Sequence, residues 1–107
     1  MNNQLRKAIN SIIQDIRSCY SKGVVFPEDE IRPLLDELSD VLDENETNLD
    51  NYSENLKSSG RVMDQMDAQD NMVDALQDLM TLFDDEDELD LSEVDNLLDT
   101  ISSYAEV

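Results

Sequence analysis

Residues 31–56 read IRPLLDELSDVLDENETNLDNYSENL, and their spacing decides the fold class. Ile31, Leu35, Leu38, Leu42, Asn45, Leu49, Tyr52 and Leu56 follow one another at alternating steps of four and three. That is the seam of a helix that buries one stripe against a partner helix, with Asn45 at one core position. A polar residue there either sets register or is tolerated at a half-exposed site. Ser58, Ser59 and Gly60 end this helix. Pro33 is tolerable only if the helix proper starts near Arg32, with Pro33 in its first turn. The spacing therefore predicts a helix over 32–58.

Downstream, Val62, Met66, Gln69, Val73, Leu76, Met80 and Phe83 repeat the four-three pattern, and Met63, Met72, Leu79 and Leu82 widen it. A third helix over 61–83 follows. A short turn at Gly60 folds it back on its predecessor as an antiparallel helical hairpin. Upstream, Leu5, Ala8, Ile9, Ile12, Ile13, Ile16, Cys19 and Tyr20 form one apolar stripe. They mark a first helix from Asn3 to Lys22 that fills segment 1–22, closed by Gly23 with Lys22 in its last turn. Val24-Val25-Phe26 is a linker whose Phe26 plugs the core, and Pro27 opens the next region with Glu28, Asp29 and Glu30. An acidic linker spans 84–91. Asp90 or Ser92 then caps a fourth helix over 92–105, where Ser92 and Asp95 approximate a capping box. Its apolar face is Val94, Leu97, Leu98, Ile101 and Tyr104 or Ala105. The expectation is an all-α domain over 1–107: four amphipathic helices around a central antiparallel hairpin with heptad-like seams.

Charge is the second informative feature. The 107 residues carry 27 Asp plus Glu against 7 Lys plus Arg and no His, a formal net charge of −20. Residues 1–24 are locally +3, residues 25–61 are −8, and residues 62–107 are −15 with no base at all. Such a balance opposes binding to phosphate backbones, which requires basic side chains. It also opposes docking on anionic membranes. No run approaches the ~20 apolar residues of a membrane span. Disorder, the other home of highly charged chains, is excluded by the periodicity of the apolar residues.

Asp64, Asp67, Asp70, Asp74 and Asp78 fall on one stripe of the third helix, opposite its seam. Asp36, Asp40, Asp43 and Asp50 add a row on the second, with Glu37, Glu44 and Glu54 beside them, and Asp84, Asp85 and Asp87 extend the acid into the linker. A solvent face selected only for solubility would interleave Lys or Arg at i, i+4. It would also prefer Glu, the better helix former, whereas 17 of the 27 acids are Asp. Close rows of short-stemmed carboxylates on rigid rods approximate what a duplex offers a DNA-binding cleft.

Other chemistries find little support. Asp84–Asp95 can be laid on a calcium loop, but Leu89 stands where the sharp turn requires Gly. Without His, and with the lone Cys19 on an apolar stripe, neither a zinc site nor a Cys–His nucleophile can be built. Acid–base catalysis would need a pair of carboxylates in an apolar pocket, and there is no Gly-rich phosphate loop. Asn45-Glu46-Thr47 and Asn51-Tyr52-Ser53 match the glycosylation sequon by chance. The expectation is a non-enzyme without catalytic residues, metal or cofactor, and with no signal peptide in MNNQLRK it is read as cytoplasmic.

In size, charge and Asp-rich helices, the chain resembles the small acidic DNA-mimic proteins of phages and mobile elements, anti-restriction and anti-CRISPR inhibitors among them. The resemblance implies an inhibitor that occupies the cleft of a basic nucleic-acid-binding protein of the host, binds no nucleic acid itself and touches no membrane. The contact set is then Asp36, Asp40, Asp43, Asp64, Asp67, Asp70, Asp74, Asp78, Asp84, Asp85 and Asp87. The rival reading is a helical adaptor that uses its apolar heptad surfaces, with the acid serving solubility or halophilic adaptation. The first helix, the only basic segment, is expected to dock on the acidic hairpin or to pair with a second copy in a homodimer.

Overall fold

The computed structural model describes residues 1–21, 28–84 and 91–107. Its helices are α1 (Asn3–Ser21), α2 (Glu28–Asp50), α3 (Glu54–Lys57), α4 (Gly60–Asp84) and α5 (Leu91–Ala105), and no strand occurs among the described residues. The chain is all-α. The Gly23 cap, the Phe26 plug, Pro27 and the Asp90 cap lie outside the described residues. None of the helices is long and apolar enough to cross a membrane.

The four long helices form a ring in which α1 packs on α2, α2 on α4, α4 on α5, and α5 back on α1. Neighbours run antiparallel. Asn45 of α2 meets Gln69 of α4, while Leu35 meets Phe83 about three to four turns away. Likewise Arg6 of α1 reaches Ala105 of α5, and Arg17 reaches Asp95. The bundle measures 49 × 22 × 18 Å.

Each stripe faces the axis. Leu5, Ile9, Ile12, Ile13 and Ile16 are buried on α1, and Val94, Leu98, Ile101 and Ala105 on α5. The α2 seam is buried from Ile31 to Leu49. On α4 the heptad seam covers only part of the core face. Val62, Gln69, Leu76 and Phe83 are buried, but so are Ala68, Met72, Ala75 and Leu79 on the adjoining arc, while Met66, Val73 and Met80 are half-buried. The cause is that α4 lies between two neighbours. Its seam faces α2 at Gln69, Met80 and Phe83, and a wider apolar arc is buried because α5 also packs on the helix.

Four expectations about helix ends are corrected. The helix expected over 32–58 starts earlier, at Glu28, so Pro33 sits in the second turn, exposed, where one missing backbone bond near the helix end is tolerated. It also stops at Asp50. The amides of Asn51 and Tyr52 donate to Thr47 and Leu49 carbonyls in a closing turn. Ser53, extended at φ −61° and ψ 153°, then caps α3 by accepting from the Leu56 amide. Tyr52 and Leu56, the last two seam positions, are 40% and 52% exposed. The reason is register. Pairing Asn45 with Gln69 brings Tyr52 level with Val62, near the start of α4, and leaves no partner helix opposite Leu56.

The third correction concerns the α3–α4 turn. Gly60 is not its closing residue but the first residue of α4. Ser59 provides the cap, its hydroxyl accepting from the Val62 amide and its carbonyl from the Met63 amide. At the other end of the chain, α5 starts at Leu91, so Ser92 lies in its first turn rather than at its cap.

Candidate functional site: the acidic flanks of α2 and α4

Burying one face of a helix exposes the other, and the acids follow this rule. Asp36, Asp40 and Asp43 on α2, and Asp64, Asp67, Asp70, Asp74 and Asp78 on α4, are all exposed. Asp84 is the last residue of α4, and Asp85 and Asp87 lie outside the described residues.

The antiparallel register places the two rows side by side. Residue 36 is level with residue 78, and residue 50 with residue 64, if the Asn45–Gln69 pairing is extended along both helices. Adding Glu46 and Asp50, both exposed, and leaving out Asp40, which lies toward α1, puts nine carboxylates along a stretch of about 21 Å at the usual helical rise. That is about one charge per 2 Å, close to the ~1.7 Å of duplex DNA.

The rows are not straight, however. At ~100° per residue, the α4 stripe leans toward α5 at Asp64 and Asp78 and swings toward α2 at Asp70 and Asp74. There it meets Glu46, and these three side chains with Gln69 and Val73 line a depression of about 320 Å³. Glu46 is absent from the contact set read from the sequence. Its signal was its place one residue after the buried Asn45, on the flank that turns to α4. At the far end of the same groove, Arg32 and Asp36 stand with Leu35, Met80 and Phe83 around a smaller cavity. Asp40 departs from the other α2 acids. It lines the opposite groove, between α1 and α2, with Asp15 and Glu37.

Beneath the acids lies a buried amide bridge. Asn45 and Gln69 are each 3% exposed. Asn45 Nδ2 donates to Gln69 Oε1 at 2.7 Å, and Gln69 Nε2 donates to the Leu42 carbonyl at 2.8 Å. This bridge locks the register that sets the two rows level.

Two basic residues of α1, Arg6 and Arg17, are placed elsewhere. Arg17 bonds Asp95 through Nε at 3.0 Å and also bonds Asp99, and Arg6 bonds the Ala105 carbonyl at 2.9 Å and approaches Glu106. Partial burial works against the Arg17 charge, but the hydrogen bonds to Asp99 and Asp95 outweigh it and raise its pKa above the ordinary value. So α1 does dock on α2 of the hairpin, but through apolar contacts, and its ion pairs go to α5. Asp95, in the second turn of α5, is thereby paired with Arg17. None of the eight row carboxylates named above has an ion-pair partner among the described residues. The described residues also contain no group of three acidic or sulfur side chains arranged to hold a metal.

Comparison with protein-family models, curated proteins and solved structures finds no match for this chain.

Proposed function

We propose that this protein is an acidic inhibitor that works as a DNA mimic. In this reading it fills the nucleic-acid-binding cleft of a host DNA-binding or defence protein, in the manner of phage anti-restriction or anti-CRISPR inhibitors. The observation that carries it is the level pair of exposed carboxylate rows on α2 and α4, without ion-pair partners among the described residues and at nearly the linear charge density of a duplex. Arg6 and Arg17 of α1, which could neutralise these charges, are bonded at α5 instead. A protein cleft built to release counterions from DNA would gain the same electrostatic attraction from the two rows.

The adaptor reading retains one specific support. Tyr52, Leu56 and Met63 are large apolar side chains, 40–55% exposed, at the α2–α4 end of the bundle. Tyr and Met are enriched at protein interfaces.

One experiment separates the two. Proteins retained from a lysate on the immobilised chain are eluted with a salt gradient, and the quadruple variant Asp67→Asn, Asp70→Asn, Asp74→Asn, Asp78→Asn is run beside it. The DNA-mimic reading expects elution well below 1 M salt, because the Debye length shrinks from about 8 Å to about 3 Å. It also expects competition by duplex DNA, and at least tenfold weaker retention by the variant. Unchanged retention by the variant, with loss on Leu56→Ser or Met63→Ser, would establish the adaptor reading instead.

A further inference from the structure

The groove between α1 and α2 lies on a different side of the bundle from the α2–α4 face. Ala8, Ile12 and Val41 form its floor, Ser11 stands beside Ala8, and the hollow measures about 370 Å³. Its walls are Asp15 on α1 and Glu37 and Asp40 on α2, with no basic residue in the lining. The α1 residues recur at i, i+3, i+4 and i+7, so the hollow follows the helix for about 11 Å, two turns. Ala8 and Ser11 are small side chains that raise no ridge on this side of α1.

We propose that this groove docks a helix from a partner protein, amphipathic and basic, with its apolar face on the floor and Lys or Arg on both shoulders. Charge complementarity selects that occupant. An apolar strip between two carboxylate walls matches a helix whose apolar anchors are flanked by cations. A second copy of this chain does not match. Its α2, α4 and α5 are acidic, and the apolar stripe of its one basic helix is already in the core. An anionic membrane surface is repelled by the same walls. The proposal does not rest on the DNA-mimic reading, which uses the α2–α4 face.

The test is fluorescence anisotropy at 0.15 M salt with a labelled 18-residue Leu/Lys model helix of amphipathic sequence. Two control peptides accompany it: the same composition shuffled to destroy the apolar face, and the amphipathic sequence with Glu for Lys. The expected result is one-to-one binding of the amphipathic basic peptide, at least tenfold tighter than either control. Two independent variants should weaken it at least tenfold: Asp15→Asn with Glu37→Gln, which lowers the walls, and Ala8→Gln with Ser11→Gln, which fills the floor. The first removes like charges from exposed positions, so the fold survives it, as circular dichroism checks. Asp70→Asn with Asp74→Asn, the same charge removed from α4, should weaken binding less than threefold. The proposal is overturned if the shuffled peptide binds as tightly, if the α4 variant loses as much as the groove variants, or if no peptide binds.

Discussion

At the scale of single residues, the amide bridge and the Arg17 bridge have opposite characters. Asn45 and Gln69 are buried, so removing one leaves the other without its partner. Asn45→Ala is expected to cost about 1–3 kcal/mol in urea unfolding from that orphaned amide, and the cavity it leaves adds to the loss. Replacing both by Leu should recover most of the loss, because a buried polar pair is often matched in stability by apolar residues of similar size. A double Leu variant no more stable than the single Ala variant would show that the bridge does more than satisfy itself. Arg17 is half-exposed and its acidic partners are more open still. Arg17→Gln should therefore cost only about 0.2–1 kcal/mol per bridge, and the loss should shrink as salt is raised from 0.05 to 1 M. A cost that ignored salt would place the role of Arg17 in packing.

At the scale of elements, the break at 51–53 shows what limits helix length. The seam pattern runs unbroken through Tyr52 and Leu56, and pattern alone extends the helix to 58. Ser53 overrides it, because a hydroxyl that can cap a new helix competes with the backbone for hydrogen bonds. The antiparallel register leaves the last heptad nothing to cover it. Gly60 offers a clean check of the same turn. A Cβ placed there meets no atom within 4 Å, and its backbone is not in the left-handed region. Gly60→Ala should raise stability by about 0.4–1 kcal/mol by restricting the unfolded chain. A loss on that substitution would mean that the turn needs glycine after all.

At the scale of the molecule, repulsion among like charges opposes the fold. Four neighbouring pairs along the α4 stripe lie at i, i+3 or i, i+4, each costing about 0.2–0.5 kcal/mol. The quadruple Asn variant of α4 should therefore be about 1–2 kcal/mol more stable than the wild type in low salt, and the gap should close toward 1 M. Thermal melts at the two salt concentrations measure both. Greater stability with weaker partner binding would be the signature of charge maintained for use rather than for folding. A variant less stable in low salt would mean that these charges do not oppose the fold.

Helix content, the α1, α2 and α5 core faces and the solvent stripe of Asp residues were all legible in the sequence, because each depends only on spacing along one helix. A period near 3.6 says which side of a rod is apolar whatever packs against it. Which helices are neighbours is a different kind of fact. That α4 sits between α2 and α5, that Arg6 and Arg17 spend their charge on α5, that Glu46 joins Asp70 and Asp74, and that Asp40 faces α1 all depend on the order of helices around the ring. So does the end of α2, which is decided where its partner stops. Spacing along a single helix does not encode these facts, since they arise from packing between surfaces distant in sequence. Only the tertiary structure brings the two acidic rows level and separates the groove on α1 from the face on α4.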